Sequence, residues 1–257
     1  MSSRRGFFKA VTGGMASLAL VADAGSAQRA PVGVRRRILV FDVNETMLDV
    51  NALEPHFARA FGSADVLREW FSTVLLYSNV ATVAGPYSDF GAIGGAALDM
   101  VAGSRGVALG KDDRDRILLG MRSLPPHPDV RPALEGLRAR GFRLVTLTNN
   151  APATVEQQLK SAGLGDLFER SFSVDAVKRF KPAPEPYQYV ARQLGVAPNN
   201  LRMIAAHAWD VLGALRAGSA AAFVARPGKV LYPLGPQPDI VASDLRAVAD
   251  RIAAVDS

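Results

Sequence analysis

The apolar residues of this chain fall into short unbroken runs and into longer stretches with helical spacing. Residues 38–41 are four consecutive apolar residues, and Asp42 follows them directly. Such a run predicts a strand buried on both faces of a parallel sheet, with the next residue at the carboxyl edge of that sheet. Asp42 could instead do no more than cap a following helix. The rest of the pattern has to separate these two interpretations.

After the first strand the spacing changes from continuous to helical. Between residues 53 and 124 apolar positions recur three and four residues apart, and no stretch has the pattern of a strand. The clearest run comprises Leu67, Trp70, Phe71, Val74 and Leu75. This pattern predicts a small helical cap over residues 53–124, inserted directly after the first strand.

From residue 125 onward, strands and helices alternate. Strands are predicted at 142–147, 172–174, 201–205 and 221–224, and helices through Leu134 and Leu137 and at 152–162, 187–194, 211–217 and 243–254. Pro233, Pro236 and Pro238 predict an irregular tail between the last strand and the last helix. The alternation predicts an α/β fold with a Rossmann-like, doubly wound parallel sheet, formed by residues 31–52 and 125–257.

The first thirty residues have the pattern of an export signal rather than of a folded element. Residues 3–9, SRRGFFK, resemble the twin-arginine export motif, and a weakly apolar stretch follows from residue 10 to 22. That stretch is too short and too rich in small residues to span a membrane. The alternative is an amphipathic or disordered leader. If the signal is used, the mature protein works in the periplasm or outside the cell, without stable membrane association.

The amino-acid composition excludes several kinds of site and of binding partner. The 257 residues include no cysteine and three histidines, which excludes disulfides and thiol nucleophiles and gives little basis for a multi-histidine metal centre. The formal net charge is +6, but the basic residues are scattered rather than clustered. This distribution favours small anions as partners over nucleic acid. We predict neither a metal nor an organic cofactor.

Polar clusters follow three more of the predicted strands. They are Thr148-Asn149-Asn150, Lys181-Pro182 and the segment from His207 to Asp210. Each has an ordinary explanation: Thr148 as a cap, Lys181 as a solvated charge, Asp210 as a helix N-cap. Because parallel strands end at one edge of a sheet, the clusters together with Asp42 predict a site there.

The segments around these clusters resemble the sequence motifs of the haloacid dehalogenase superfamily of hydrolases. In order they are FDVNETMLD (41–49), LVTLTNN (144–150), RFKPAPEPY (179–187) and AAHAWDVLGA (205–214). Within that superfamily the last two are most similar to the type II (S)-2-haloacid dehalogenases. There, a lysine-proline pair with a tyrosine six residues after the lysine is typical, as is Ala-Trp-Asp-x-x-Gly-Ala.

The resemblance implies a mechanism. Asp42 would attack the halogen-bearing carbon of a small halocarboxylate, giving an aspartyl ester that water hydrolyses to a 2-hydroxy acid. Lys181 would keep Asp42 ionised, and Asp210 would orient Lys181 or the water. Thr46, Thr148 and Asn149 would fix Asp42 and the substrate carboxylate, and Tyr187 would complete the polar network. We also predict Asn44 and Phe71 as substrate-binding residues.

Two other functions stay open. Superfamily phosphatases resemble one another in having an acid two residues after the nucleophile and in holding Mg²⁺ with acids of the fourth motif. In this chain the residue two positions after Asp42 is Asn44, and Asp210 is the only acid in the fourth motif. Halide departs without protonation, so Asn44 favours dehalogenation over phosphoryl transfer. A non-catalytic exported binding protein is the second alternative, against which the retained Asp42, Lys181 and Asp210 argue.

The sequence also departs from the dehalogenase pattern. Phe71 stands where a cap arginine is expected, with Arg68 one turn away, and Asn44 replaces a usual aromatic residue. In the fourth motif a serine and an asparagine become Ala205 and His207. His207 could fill space with one structural hydrogen bond, or it could assist the departing halide or the hydrolytic water. Apolar faces of the cap helices could serve a homodimer or pack on each other.

Overall fold

The core of the protein is a six-stranded parallel sheet. The computed structural model describes residues 36–256, so the predicted export signal lies outside the described residues. The strands are β1 (Ile38–Phe41), β2 (Leu144–Thr148), β3 (Arg170–Ser173), β4 (Leu201–Ala205), β5 (Ala220–Val224) and β6 (Ile240–Ala242). All pairings are parallel, in the order β3-β2-β1-β4-β5-β6.

This strand order places β1 at the position where the direction of winding reverses. The chain moves outward from β1 through β2 to β3, then returns to the other side of β1 for β4, β5 and β6. All four residues of β1 are buried, as a central parallel strand requires. In open α/β sheets, ligands bind in the crevice at such a reversal, beyond the carboxyl ends of the strands. Asp42 begins there.

Five helices flank the sheet, one before β2 and the others after β2, β3, β4 and β6. They are α5 (Val130–Ala139), α6 (Pro152–Ser161), α7 (Pro184–Leu194), α8 (Ala208–Arg216) and α9 (Leu245–Val255). Helix α5 packs against α9, and α7 packs against α8. Strands alternating with flanking helices confirm the predicted α/β, Rossmann-like fold.

Four helices lie between β1 and α5: α1 (Glu54–Phe61), α2 (Val66–Ala84), α3 (Phe90–Ser104) and α4 (Lys111–Gly120). Aromatic side chains hold α1, α2 and α3 together, with Trp70 against Phe57 and Phe71, and Phe71 against Phe90. The α2 residue Thr82 binds the loop after β3, accepting the Phe180 N–H at 3.0 Å. The exact bounds of the cap, 53–124, stay a prediction.

The structure corrects several element boundaries. Strand β2 begins two residues later than predicted. Strand β3 begins at Arg170, before the predicted start at residue 172, and its first two residues were missed because they are exposed and not apolar. Helix α8 begins at Ala208, directly after His207. The sequence analysis missed β6, a three-residue strand whose Ile240 and Ala242 are buried. Three nearby prolines masked its short alternation.

Within residues 36–256, no helix is long and apolar enough to cross a membrane. Helix α2 does carry an exposed apolar stripe of Leu76, Val80 and Val83. Residues four and three apart share one helix face, so this stripe is one surface that a homodimer could use, and the homodimer stays a prediction.

Candidate active site

The carboxyl ends of the central strands bring the predicted polar residues together. Asp42 follows β1, Asn149 and Asn150 follow β2, Lys181 lies on the loop after β3, and His207 follows β4. Asp210 lies in the first turn of α8 rather than at its N-cap, which is His207. Asp42 is not a cap either, because Asp49 caps the next short helical turn.

Lys181 is the centre of the polar cluster. Its ammonium group donates to Oδ1 of Asp42 at 2.8 Å, to Oδ2 of Asp210 at 2.5 Å and to the carbonyl of Leu147 at 3.0 Å. All three donors of the ammonium group are therefore used. The residue is 2 % exposed, which rules out a solvated surface lysine.

These contacts fix the charge of the nucleophile candidate. Burial alone would raise the pKa of Asp42, but the attraction of Lys181 and His207 is stronger and holds that pKa well below its usual range. Burial lowers the pKa of Lys181, whereas Asp210 and Asp42 raise it above its usual value. Asp42 is therefore a carboxylate and Lys181 an ammonium ion at neutral pH.

Thr46 fixes the other oxygen of Asp42. Its hydroxyl donates to Oδ2 of Asp42 at 2.7 Å and accepts the Ala206 N–H at 2.8 Å. The loop after β1 is thereby tied to the end of β4, and Asp42 cannot rotate without breaking a buried hydrogen bond.

Tyr187 and Asp210 form the support beneath Lys181. The Tyr187 hydroxyl donates to Oδ1 of Asp210 at 2.6 Å, and burial beside Asp210 raises the pKa of Tyr187 far above its usual range, so it keeps its proton. Burial also raises the pKa of Asp210, against the attraction of Lys181. Gly213 makes this packing feasible, since a Cβ there would lie 2.6 Å from the Tyr187 hydroxyl and 2.7 Å from the Pro182 carbonyl.

His207 lies on the opposite side of Asp42 from Lys181. Its Nδ1 is 3.4 Å from Oδ2 of Asp42, and its Nε2 is 2.6 Å from Oε2 of Glu45. The other oxygen of Glu45 accepts from Lys229 at 2.6 Å. The imidazole also stacks on Trp209, with ring centroids 4.8 Å apart. Charges of alternating sign thus run from Lys181 through Asp42, His207 and Glu45 to Lys229.

Asn44 is held in an amide cluster away from Asp42. Its Oδ1 accepts from Nε2 of Gln158 at 3.0 Å and from Nδ2 of Asn150 at 3.3 Å. Thr148 accepts the Asn150 N–H, and Asn149 accepts the Lys181 N–H through its Oδ1. These predicted substrate-binding residues thus shape the loops around Asp42 by hydrogen bonds within the protein.

A cleft of about 780 Å³ opens beside this cluster, between α2 and the loops after β1 and β5. Phe71 and Arg68 of α2 line it together with Glu45 and Lys229. Phe71 is buried among aromatic residues, whereas the Arg68 side chain is 80 % exposed and pairs with Asp65. The side chain in the cap-arginine position is therefore apolar.

Sequence analysis missed Glu45, Lys229 and Gln158 as parts of this network, whereas Asn150 was in the polar cluster predicted after β2. Glu45 lies between Asn44 and Thr46 in the first motif, and its charge was the available signal. Gln158 sits in the middle of α6, where a glutamine has the pattern of a surface residue. Lys229 lies in a loop whose spacing indicates no site.

Comparison with known proteins identifies the family of this chain. Residues 37–218 match the family described as haloacid dehalogenase-like hydrolase. The chain belongs to the haloacid dehalogenase-like hydrolases. It is 33% identical over 180 residues to "(S)-2-haloacid dehalogenase 1" of Pseudomonas sp. (strain CBS-3), covering 69% of this chain and 79% of that protein. It is 31% identical over 184 residues to "(S)-2-haloacid dehalogenase 4A" of Burkholderia cepacia, covering 71% and 80%.

The fold agrees with solved haloacid dehalogenase structures. The L-2-haloacid dehalogenase of Xanthobacter autotrophicus, with chloropropionic acid covalently bound, is similar with a TM-score of 0.79 and 26% identity, covering 84% of this chain and 98% of that one. The resemblance to type II haloacid dehalogenases that the motifs indicated is thus confirmed.

Proposed function

We propose that this protein is a hydrolytic 2-haloacid dehalogenase in which Asp42 is the nucleophile. The observation that carries the proposal is a buried carboxylate kept ionised by one lysine, at the reversal point of the sheet. Asp42 is 5 % exposed and contacts Lys181, Thr46 and His207. A weakly solvated carboxylate is a stronger nucleophile than one in water. Two relatives of this chain are named (S)-2-haloacid dehalogenases.

In the first step a carboxylate oxygen of Asp42 attacks C2 of the substrate from the side opposite the halogen. The O–C2 bond forms while the carbon–halogen bond breaks, and the halide leaves with the bonding electron pair. Lys181 and Thr46 hold the attacking group in place, which lowers the entropic part of the barrier. The product is an ester between Asp42 and the acid.

In the second step water attacks Cγ of Asp42 and releases a 2-hydroxy acid. As the carbonyl oxygen gains charge, the ammonium group of Lys181 at 2.8 Å can stabilise it. Asp210 and Tyr187 keep that ammonium group in position. Asn149 uses its Oδ1 for Lys181, so its amide N–H donors are available to the substrate carboxylate.

The local geometry favours this reaction over phosphoryl transfer. The residue two positions after the nucleophile is Asn44, whose Oδ1 accepts two amide donors and which has no proton to give as an acid. Both oxygens of Asp210 already accept hydrogen bonds, from Lys181 and Tyr187. The protein therefore offers a leaving alkoxide no acid at the position where superfamily phosphatases are expected to have one.

We expect the purified protein to release chloride from (S)-2-chloropropionate and to invert the configuration at C2. EDTA should leave the rate unchanged, since the mechanism assigns no step to a metal. Chloride release and the chirality of the lactate product are the measurements, with 4-nitrophenyl phosphate assayed in parallel. Phosphate release that requires Mg²⁺, without chloride release, would contradict the proposal. Inactivity on a broad panel of haloacids would favour the binding-protein alternative.

We further infer export by the twin-arginine route, on the basis of Arg4 and Arg5 followed by the weakly apolar stretch. Replacing both arginines by lysine should prevent a tagged full-length protein from reaching the periplasm. Immunoblots of periplasmic and cytoplasmic fractions would measure this. Replacing Arg35 and Arg36 by lysine is the matched control. Equal periplasmic amounts for both variants would contradict the inference.

A further inference from the structure

Glu45 adopts a backbone conformation that a residue with a side chain seldom takes. Its φ is 60°, in the left-handed region, and its N–H donates to the Leu48 carbonyl at 2.8 Å. Non-glycine residues are held in this conformation only where the surroundings fix them, often at functional sites. Here the conformation directs a carboxylate toward His207.

The Glu45 carboxylate separates the cleft from the imidazole. Glu45 and Lys229 line the cleft, whereas neither Asp42 nor His207 is among the described residues that line it. One oxygen of Glu45 contacts His207 and the other contacts Lys229, both at 2.6 Å. Glu45 therefore holds the proton on Nε2 of His207, so in the neutral imidazole Nδ1 is the nitrogen without a proton.

The second nitrogen of His207 points toward the nucleophile. Nδ1 is buried, lies 3.4 Å from Oδ2 of Asp42 and has no hydrogen-bond partner within residues 36–256. An unpartnered buried nitrogen next to a reactive carboxylate is placed to contact a water that attacks Cγ.

The charged groups around His207 define its protonation. Asp42 and Glu45 face it directly, Lys181 lies beyond Asp42, and Lys229 lies beyond Glu45. Burial lowers the pKa of His207, but the two carboxylates outweigh burial and raise the pKa to about 9. His207 is therefore an imidazolium ion in the resting protein at neutral pH.

We propose that Glu45 is a positioning residue that holds His207 as a cation, and that esterification of Asp42 converts His207 into the base for ester hydrolysis. This inference rests on the proposed dehalogenation. When Asp42 becomes an ester, its negative charge disappears and His207 loses one of its two stabilising anions. His207 then releases its Nδ1 proton to solvent, while its Nε2–H stays on Glu45.

The hydrolytic step balances without any other reagent. Neutral His207 takes a proton from water through Nδ1 while the water oxygen bonds to Cγ of Asp42. The bond between Cγ and the ester oxygen then breaks, and the proton of the new carboxyl group moves to the departing alkoxide. Asp42 is again a carboxylate, His207 is again a cation, and one proton per turnover has been released to solvent.

The first experiment titrates the imidazoles by NMR, without substrate. The chain has three histidines, so His207 is identified by the loss of its signal in a His207→Gln variant. Asp42→Asn imitates the uncharged ester, and Glu45→Gln keeps a hydrogen-bond acceptor but removes the charge. We expect the pKa of His207 to fall by at least about one unit in each variant. Glu54→Gln, which changes an exposed residue of the same cleft, should leave it unchanged.

The second experiment follows the two chemical steps in single turnovers across pH. Glu45→Gln should shift the acidic limb of ester hydrolysis to lower pH by about one unit, because its base has a lower pKa. Glu45→Gly, whose backbone accepts the positive φ, should give the same shift in a well-folded protein. Absence of dehalogenation would contradict the proposed function. Dehalogenation with an unchanged His207 titration in Glu45→Gln would overturn only the role of Glu45.

Discussion

Replacing Asp42 by asparagine should abolish dehalogenation, with kcat reduced on the order of ten-thousand-fold or more. The amide keeps the shape of the side chain but supplies neither the negative charge nor the oxygen that forms the ester. The backbone of the loop after β1 should stay in place, because Thr46 can still donate to the remaining oxygen. The loss should therefore concern catalysis and not folding.

Two measurements distinguish this loss from a general defect. Intact-protein mass spectrometry after acid quench should detect the ester adduct in the wild type and not in Asp42→Asn. A single turnover in H₂¹⁸O should place the label in the Asp42 carboxylate of the wild type. Asp49→Asn is the matched control, since Asp49 lies in the same segment and caps a helical turn. An adduct that persists in Asp42→Asn would identify a different nucleophile.

The main residues of the site were predictable because their signals lie at strand ends. Asp42 follows an unbroken apolar run, and the Lys181 to Tyr187 spacing and the segment ending at Asp210 each follow a predicted strand. A parallel sheet brings such positions to one edge whatever the details of the loops. The order of the polar clusters along the chain was therefore enough to indicate a common site.

The network around His207 was not predictable in the same way. It depends on the positive φ of Glu45 and on a loop after β5 that brings Lys229 to the same carboxylate. Neither the backbone conformation of one residue nor the path of a loop produces a repeating pattern of apolar residues in the sequence. Gln158 was missed for a related reason, since only the packed structure shows that α6 turns it inward toward Asn44.

Phe71 is an apolar residue at the position where the dehalogenase sequence pattern predicts a cap arginine. The sequence placed an apolar residue where a cap arginine was expected, and the structure shows it packed against Trp70 and Phe90. Without that arginine, the cations nearest to Asp42 are Lys181 and the imidazolium of His207. The positive charge near Asp42 therefore comes from the core and not from the cap, so the charge of His207 matters for the reactivity of Asp42.

Replacing Lys181 by methionine should lower both stability and activity, because it leaves Asp42 and Asp210 buried without their common counter-charge. Breaking a buried ion pair by removing one partner costs about 3–5 kcal/mol of unfolding free energy. Activity should fall at least about a hundredfold, since the carboxylate of Asp42 would no longer be held ionised and in place. Urea unfolding at pH 7 and chloride release are the measurements. Lys160→Met, at an exposed position of α6, is the control.

The pH dependence separates lost charge pairing from lost packing. Lys181 lowers the pKa of Asp42 in the folded state, so this stabilisation is present above the unfolded value of about 4 and is lost as the pH falls through the folded value. The pKa of Lys181 is raised, so its contribution is complete below about pH 10 and is lost at higher pH. The difference in unfolding free energy between wild type and Lys181→Met should therefore be largest from about pH 5 to 10.

Below that range the difference should shrink, because protonation relieves the unpaired carboxylates of the variant. Adding Asp210→Asn to Lys181→Met should recover part of the stability at pH 7, since one of the two buried charges is then removed. It should not recover activity, because Asp42 still lacks its counter-charge. If the stability difference were instead the same at every pH and unaffected by Asp210→Asn, Lys181 would act through packing alone. The assignment of Lys181 as the group that keeps Asp42 ionised would then be wrong.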